Sequence, residues 1–222
     1  MNAAKILRRT RLAARLAGGT LRSMGRRKVF CVGWNKTGTS SMARAFEELG
    51  LVVGEQYLAE RLLRDWSRRD FRRLFLYCRT AQAFQDVPFG LPFTFQALDQ
   101  RFPGSKFILT IRDNPGQWYD SLTRFHARMF GHGRVPAMKD LETASYLRPG
   151  AAAEANRLIH NTPADDPYNR EALIADYNAH KAEWTADSEP VKKIARLTGA
   201  DPRDVPELLA GSTFPESQAQ LS

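Results

Sequence analysis

One short segment limits the folds open to this chain more than any other. Val29, Phe30, Cys31, Val32 and Gly33 form a continuous apolar run, as expected of a strand buried on both faces. Trp34 to Thr39 then reads as a loop, and Met42, Ala45, Phe46 and Leu49 recur at helical spacing before Gly50 supplies a stop. The reading is strand, loop, helix. In that arrangement the first amides of the helix and its positive end face the loop, where an anion is favoured. Gly38 lets the backbone approach closely, Lys36 brings a full charge, and Thr37, Thr39, Ser40 and Ser41 offer hydroxyls. No Asp or Glu occupies the first helical turn to take the anion's place.

The rest of the chain supplies partners for such a unit. Residues 57–79 read as one or two helices, with Leu58, Leu62, Trp66, Leu74 and Phe75 inward and arginines outward. Ala83 to Val87 is a short strand candidate ended by Pro88, Thr94 to Phe102 is helical, and Lys106 to Ile111 is the second strong strand. The next helix has Asn114 to cap it, Pro115 in its first position, and Trp118, Leu122, Phe125 and Met129 in one stripe. Alternating strands and helices argue for an α/β fold, a parallel sheet covered by helices on both faces, with ligands beyond the carboxyl ends of the strands. Residues 131–166 read as a long excursion carrying a small helix. Asp166 and Pro167 open a helix with Leu173, Ile174, Tyr177 and Trp184 inside, and a last helix is expected over 189–198. The expected sheet is therefore small, and the C-terminal part helical.

Length and charge narrow the class. With 222 residues, 43% of them hydrophobic, the chain suits one domain, residues 28–222, preceded by an arm, residues 1–27. The formal charge of +9 resides in that arm and its junction. Lys5, Arg8, Arg9, Arg11, Arg15, Arg22, Arg26, Arg27 and Lys28 have no acid among them, which leaves 24 basic residues to balance 24 acidic ones. A neutral body argues against sequence-specific nucleic-acid binding. The arm reads as a frayed, solvated terminus, with peripheral contact to anionic membrane as the alternative. No run of eighteen apolar residues is present, and Cys31 and Cys78 read as buried thiols of a reducing, cytoplasmic setting. His126, His132, His160 and His180 show no metal-ligand pairing, so no metal is expected.

The loop is not that of the nucleoside triphosphatases, in which the lysine follows the last glycine. Here the order is Lys36-Thr37-Gly38-Thr39-Ser40-Ser41, which resembles the 5′-phosphosulfate loop of the sulfotransferases. The stretch Phe102 to Asp113, followed by Trp118 and Ser121, looks like that family's 3′-phosphate segment, with Arg112 and Ser121 at the matching positions. The resemblance covers about residues 28–130 and is nearest to the bacterial branch related to nodulation and carbohydrate sulfotransferases. It implies 3′-phosphoadenylyl sulfate (PAPS) as donor, a small-molecule or carbohydrate acceptor with a hydroxyl or amine, and no metal. It further implies that Lys36 stabilises the leaving phosphate and that a base follows the intervening strand. Asp86 is the suitable side chain there, unless it merely caps the turn before Pro88, in which case His126 or His180 is next. The family usually continues with another buried strand, and no convincing one follows Ile111. That departure leaves open a non-catalytic descendant that binds a nucleotide or protein. A small kinase with an unusual phosphate loop is a further alternative.

Overall fold

A computed structural model describes residues 3–183 and 194–198. Three strands, β1 (Val29–Cys31), β2 (Ala83–Phe84) and β3 (Lys106–Ile111), form the parallel centre of the sheet. Outside them lies a strand that the sequence reading did not contain: β6 (Ile194–Thr198) pairs in parallel with β3 from Phe107↔Ile194 to Ile111↔Thr198. The sheet order is β2-β1-β3-β6. The expected helix over 189–198 and the missing strand are thus both corrected, while positions 189–193 and Trp184 lie outside the described residues. The cause is non-local. Val191, Ile194 and Leu197 have helical spacing, yet the edge of β3 offers a row of unpaired amides and carbonyls that a strand satisfies.

Strand periodicity divides the core. Phe30, Val32, Phe84, Phe107 and Leu109 pack with Leu62, just before α4 (Leu63–Ser67), and with Leu74, Tyr77, Phe89, Phe95 and Leu98, which come from α5 (Arg72–Tyr77), α6 (Thr94–Arg101) and the segment between. Phe30 sits at the middle, with the rings of Phe84, Phe89 and Phe107 stacked around it at 5.5, 5.8 and 5.4 Å. Val29, Cys31, Ala83 and Ile108 point the other way and bury Met42, Ala45 and Phe46 of α2 (Thr39–Glu48). Both thiols are free and buried, and burial pushes the Cys31 thiol up to about 11, so neither is primed as a nucleophile.

The 57–79 region folds as three short helices rather than one or two: α3 (Gln56–Glu60), α4 and α5. The excursion is richer than expected, with α8 (Met138–Thr143), a hairpin of β4 (Ser145–Tyr146) and β5 (Arg148–Pro149), and α9 (Ala151–Ile159). Together with α7 (Pro115–Met129) and α10 (Arg170–Glu183) these elements build a separate apolar cluster of Trp34, Trp118, Leu122, Leu141, Tyr168, Leu173 and Tyr177. Trp34 carries this cluster directly under the loop. Met129, assigned to the inward stripe of α7, is instead 47% exposed.

The N-terminal segment is a helix, α1 (Ala3–Ser23), and its last turns are seated on the body. Ser23 is buried, and its hydroxyl donates to the Arg79 carbonyl at 3.3 Å. Arg15 pairs with Glu55. Among the described residues no helix is long and apolar enough to cross a membrane.

Candidate active site

All strands of the sheet run the same way, so the segments that follow β1, β2 and β3 emerge at one edge. They are the loop 33–38, the turn at Gln85–Asp86, and Arg112. The loop is wedged against β3. A side chain at Gly33 would place its first carbon 1.9 Å from the Thr110 hydroxyl, so only glycine fits there. Thr37 turns inward beside it, its hydroxyl donating to the Trp34 carbonyl at 2.5 Å and lying 2.7 Å from that of Thr110. Thr37 therefore secures the loop through both its side chain and its amide, which also donates to the Trp34 carbonyl at 3.3 Å.

Gly38 is the residue before α2 and adopts φ 100°, ψ 16°, a left-handed conformation that glycine takes without steric cost. No side chain caps the helix, and its first turn contains no acid. The Thr39 hydroxyl donates to Asp86 Oδ2 at 2.9 Å, Ser40 is exposed and Ser41 half-buried. Lys36 and Asp86 both hold φ 64°, a left-handed backbone that costs a residue with a side chain about 1–2 kcal/mol and that concentrates at functional sites.

Lys36 is linked to the other motif through its backbone: Arg112 Nε donates to the Lys36 carbonyl at 2.8 Å. The Arg112 amide donates to the Tyr177 hydroxyl at 2.9 Å, and Trp118 Nε1 donates to the Asn35 carbonyl at 2.9 Å. Loop, strand end and α7 are held as one unit. The Lys36 ammonium lies 3.6 Å from the centroid of the Phe125 ring, a cation–π contact. Ser121, Phe125 and Arg128 share one face of α7 by their four- and seven-residue spacing, so that face looks toward the loop.

The electrostatics follow from burial and crowding. Burial lowers the Lys36 pKa, Arg128 and Arg112 add to the effect, and Asp86 opposes it. Burial raises the Asp86 pKa, against the hydrogen bonds from Thr39 and the Val87 amide and the charge of Lys36. A lysine and a carboxylate are each displaced toward neutrality, within mutual influence, at the end of adjacent strands.

Two further groups belong here that no local sequence signal marked. The Tyr146 hydroxyl donates to Glu60 Oε2 at 2.5 Å, and Gln56 bridges Glu60 Oε1 at 3.4 Å and the Val87 carbonyl at 2.8 Å. Burial raises the Glu60 pKa, and Asp86 raises it further. Of the histidines, His126 is nearest in effect: its Nδ1 is 2.7 Å from the Tyr168 hydroxyl, and burial, with smaller effects from His160 and Lys36, pushes its pKa down to about 3. His180 is buried edge-on to Trp34 at 4.5 Å, beneath the loop rather than in front of it.

A parallel α/β sheet whose first strand leads through a lysine-bearing loop onto an uncapped helix, with an arginine at the end of the neighbouring strand, has the architecture of a phosphate-loop-like α/β fold. The family model of the sulfotransferase domain matches residues 28–194, three quarters of the chain, and no curated protein matches it. The chain belongs to the sulfotransferase domain family. The matched span takes in the Lys36 loop, Arg112 and Ser121, Asp86, the excursion, and the first residue of β6.

Proposed function

We propose that this protein transfers a sulfuryl group from PAPS to a hydroxyl or amine of a small-molecule or carbohydrate acceptor. The observation that carries the reading is the bond between the two phosphate motifs, Arg112 Nε to the Lys36 carbonyl, made beside an uncapped helix start. The residues present suit the donor. The amides of α2's first turn, Lys36, Ser40 and Ser41 would hold the 5′-phosphosulfate, and Arg112 with Ser121 the 3′-phosphate. Bound PAPS would supply the activated sulfuryl group and a stable bisphosphate leaving group.

The chain's own residues supply the rest. Lys36 stands where negative charge would build on the leaving phosphate, and its partial burial strengthens that interaction. Asp86 accepts the acceptor's proton. Its raised pKa makes it a stronger base than an exposed carboxylate, and the Thr39 hydroxyl holds one of its oxygens in place. Glu60, from the arginine-rich helices, and Tyr146, from the excursion, are bonded to each other within the electrostatic reach of Asp86 and would face the acceptor. Calorimetric titration with adenosine 3′,5′-bisphosphate tests the reading. Binding that is indifferent to Mg²⁺ is expected, and Mg²⁺-dependent ATP binding with no response to the bisphosphate would overturn it.

A further inference from the structure

The strongest unassigned feature lies at the opposite end of the sheet. Lys28 precedes β1 and Ser105 precedes β3, and between them opens a cleft of about 480 Å³. Arg26, Arg27, Lys28, Arg79 and Arg101 line it, with no acidic residue among its walls. Arg26 and Arg27 are exposed, whereas the Lys28 ammonium is buried and donates to the Ala81 carbonyl at 2.5 Å. The cations available to a ligand are therefore arginines at a solvent-open rim.

The helix above the cleft presents the second half of the site. Gly19 lies against the Thr80 carbonyl, where a first side-chain carbon would come within 2.3 Å, so the helix touches the body along a narrow line. The outward side carries Leu7, Ala14 and Leu21 at seven-residue intervals, with Ile6 and Ala17 beside them, all exposed. Leu21 is 70% and Met24 67% exposed. Arg8, Arg11, Arg15 and Arg22 follow one another along the adjoining stripe. An apolar stripe facing water, bordered by arginines and leading into an arginine-lined cleft, has the design of a helix that lies in the headgroup layer of a bilayer. Charge complementarity selects the occupant: residues 1–28 are basic without one acid, and the body they are attached to is neutral.

We propose that α1 and the cleft beneath it form a docking surface for an anionic phospholipid bilayer, with Leu7, Leu21 and Met24 entering the headgroup boundary and Arg26, Arg27, Arg79 and Arg101 holding lipid phosphates. The surface and the candidate active site lie at opposite ends of the same strands, separated by the length of β3, roughly 17 Å by strand rise. Docking therefore turns the reaction site away from the lipid, and the acceptor it meets comes from the aqueous side. The proposal is independent of the identity of the donor.

The test is sedimentation of the full chain with vesicles of phosphatidylcholine alone or with a third phosphatidylglycerol, at low and at physiological salt. Retention by the anionic vesicles alone, weakening with salt, is expected. Leu7→Gln combined with Leu21→Gln should weaken it about tenfold, as should Arg26→Gln with Arg27→Gln, while both variants keep the parent's thermal unfolding. Duplex DNA separates lipid from a generic polyanion, since the leucine variant should bind DNA as the parent does. Equal loss on DNA and vesicles from the arginine variant, with none from the leucine variant, would overturn the proposal, as would no retention at low salt. A concentration-dependent dimer abolished by the leucine variant, without vesicle binding, would reassign the stripe to a second copy of the chain.

Discussion

The two ends of the sheet are both rich in positive charge, and they handle it in different ways. At the carboxyl end Lys36 and Arg112 are tied to a ring or to the backbone and partly buried, and Lys36 has the Asp86 carboxylate within its electrostatic reach. At the amino end Arg26 and Arg27 stand exposed on the rim of an acid-free cleft. The first arrangement fixes where each charge sits, which recognition of one anion and its rearrangement require. The second spreads charge over a surface, which suits an extended partner whose phosphates have no fixed positions. Charge count alone does not distinguish them. Burial and hydrogen bonding do.

The largest effect that separates the two ends should come from Lys36→Ala, which is expected to lower sulfuryl transfer by about a hundred- to a thousandfold. Labelled donor and a screened acceptor read it, and vesicle retention should not change. Asp86→Asn comes next, lowering transfer by about a hundredfold with bisphosphate affinity retained. Because burial disfavours the charge on Asp86 at neutral pH, the amide should leave the melting temperature equal or higher. A lower one with full turnover would make Asp86 a turn cap. Arg112→Ala removes a charge-assisted contact worth about 1.5–3 kcal/mol and should weaken the bisphosphate by about ten- to a hundredfold in calorimetry.

The smallest expected effect is on acid stability. His126 and His180 are each pushed down to about 3 by burial, so below pH 6.5 the unfolded chain takes up protons that the folded one refuses. Stability present at neutral pH should therefore decline from about pH 6.5 toward pH 3. His126→Gln should flatten part of that decline in denaturant melts taken at several pH values. A curve identical to the parent's would place His126 in solvent contact.

How much of this was legible in the sequence depends on the distance over which each feature is decided. β1, the loop and α2 are decided within about twenty consecutive residues, through apolar runs, a glycine and the absence of first-turn acids, and the reading of each matches the structure. The capping of α7 by Asn114 was equally local, and its side chain accepts from the Gln117 amide at 2.8 Å. β6 was misread because its local pattern fits a helix, and only the open edge of β3 makes it a strand. The seating of α1 was missed because it depends on Gly19 meeting a carbonyl some sixty positions later. Glu60 and Tyr146, 86 positions apart, meet only through the path of the chain, and no composition or spacing could have joined them.

The hydrogen bond from the Arg112 amide to Tyr177 spans 65 positions, and it bears on how the protein is made. A growing chain released from the ribosome as far as α7 already holds Lys36, Asp86, Arg112 and Ser121, yet neither the tyrosine that accepts the Arg112 amide nor the strand that covers β3's edge has been synthesised. During that interval the β3 edge is exposed to pairing with other chains, and the first motif can attract anions before the second is held in register. The Arg112 strand end is thus anchored late in synthesis, when α10 packs, and the interval before it is when the β3 edge is most exposed to aggregation.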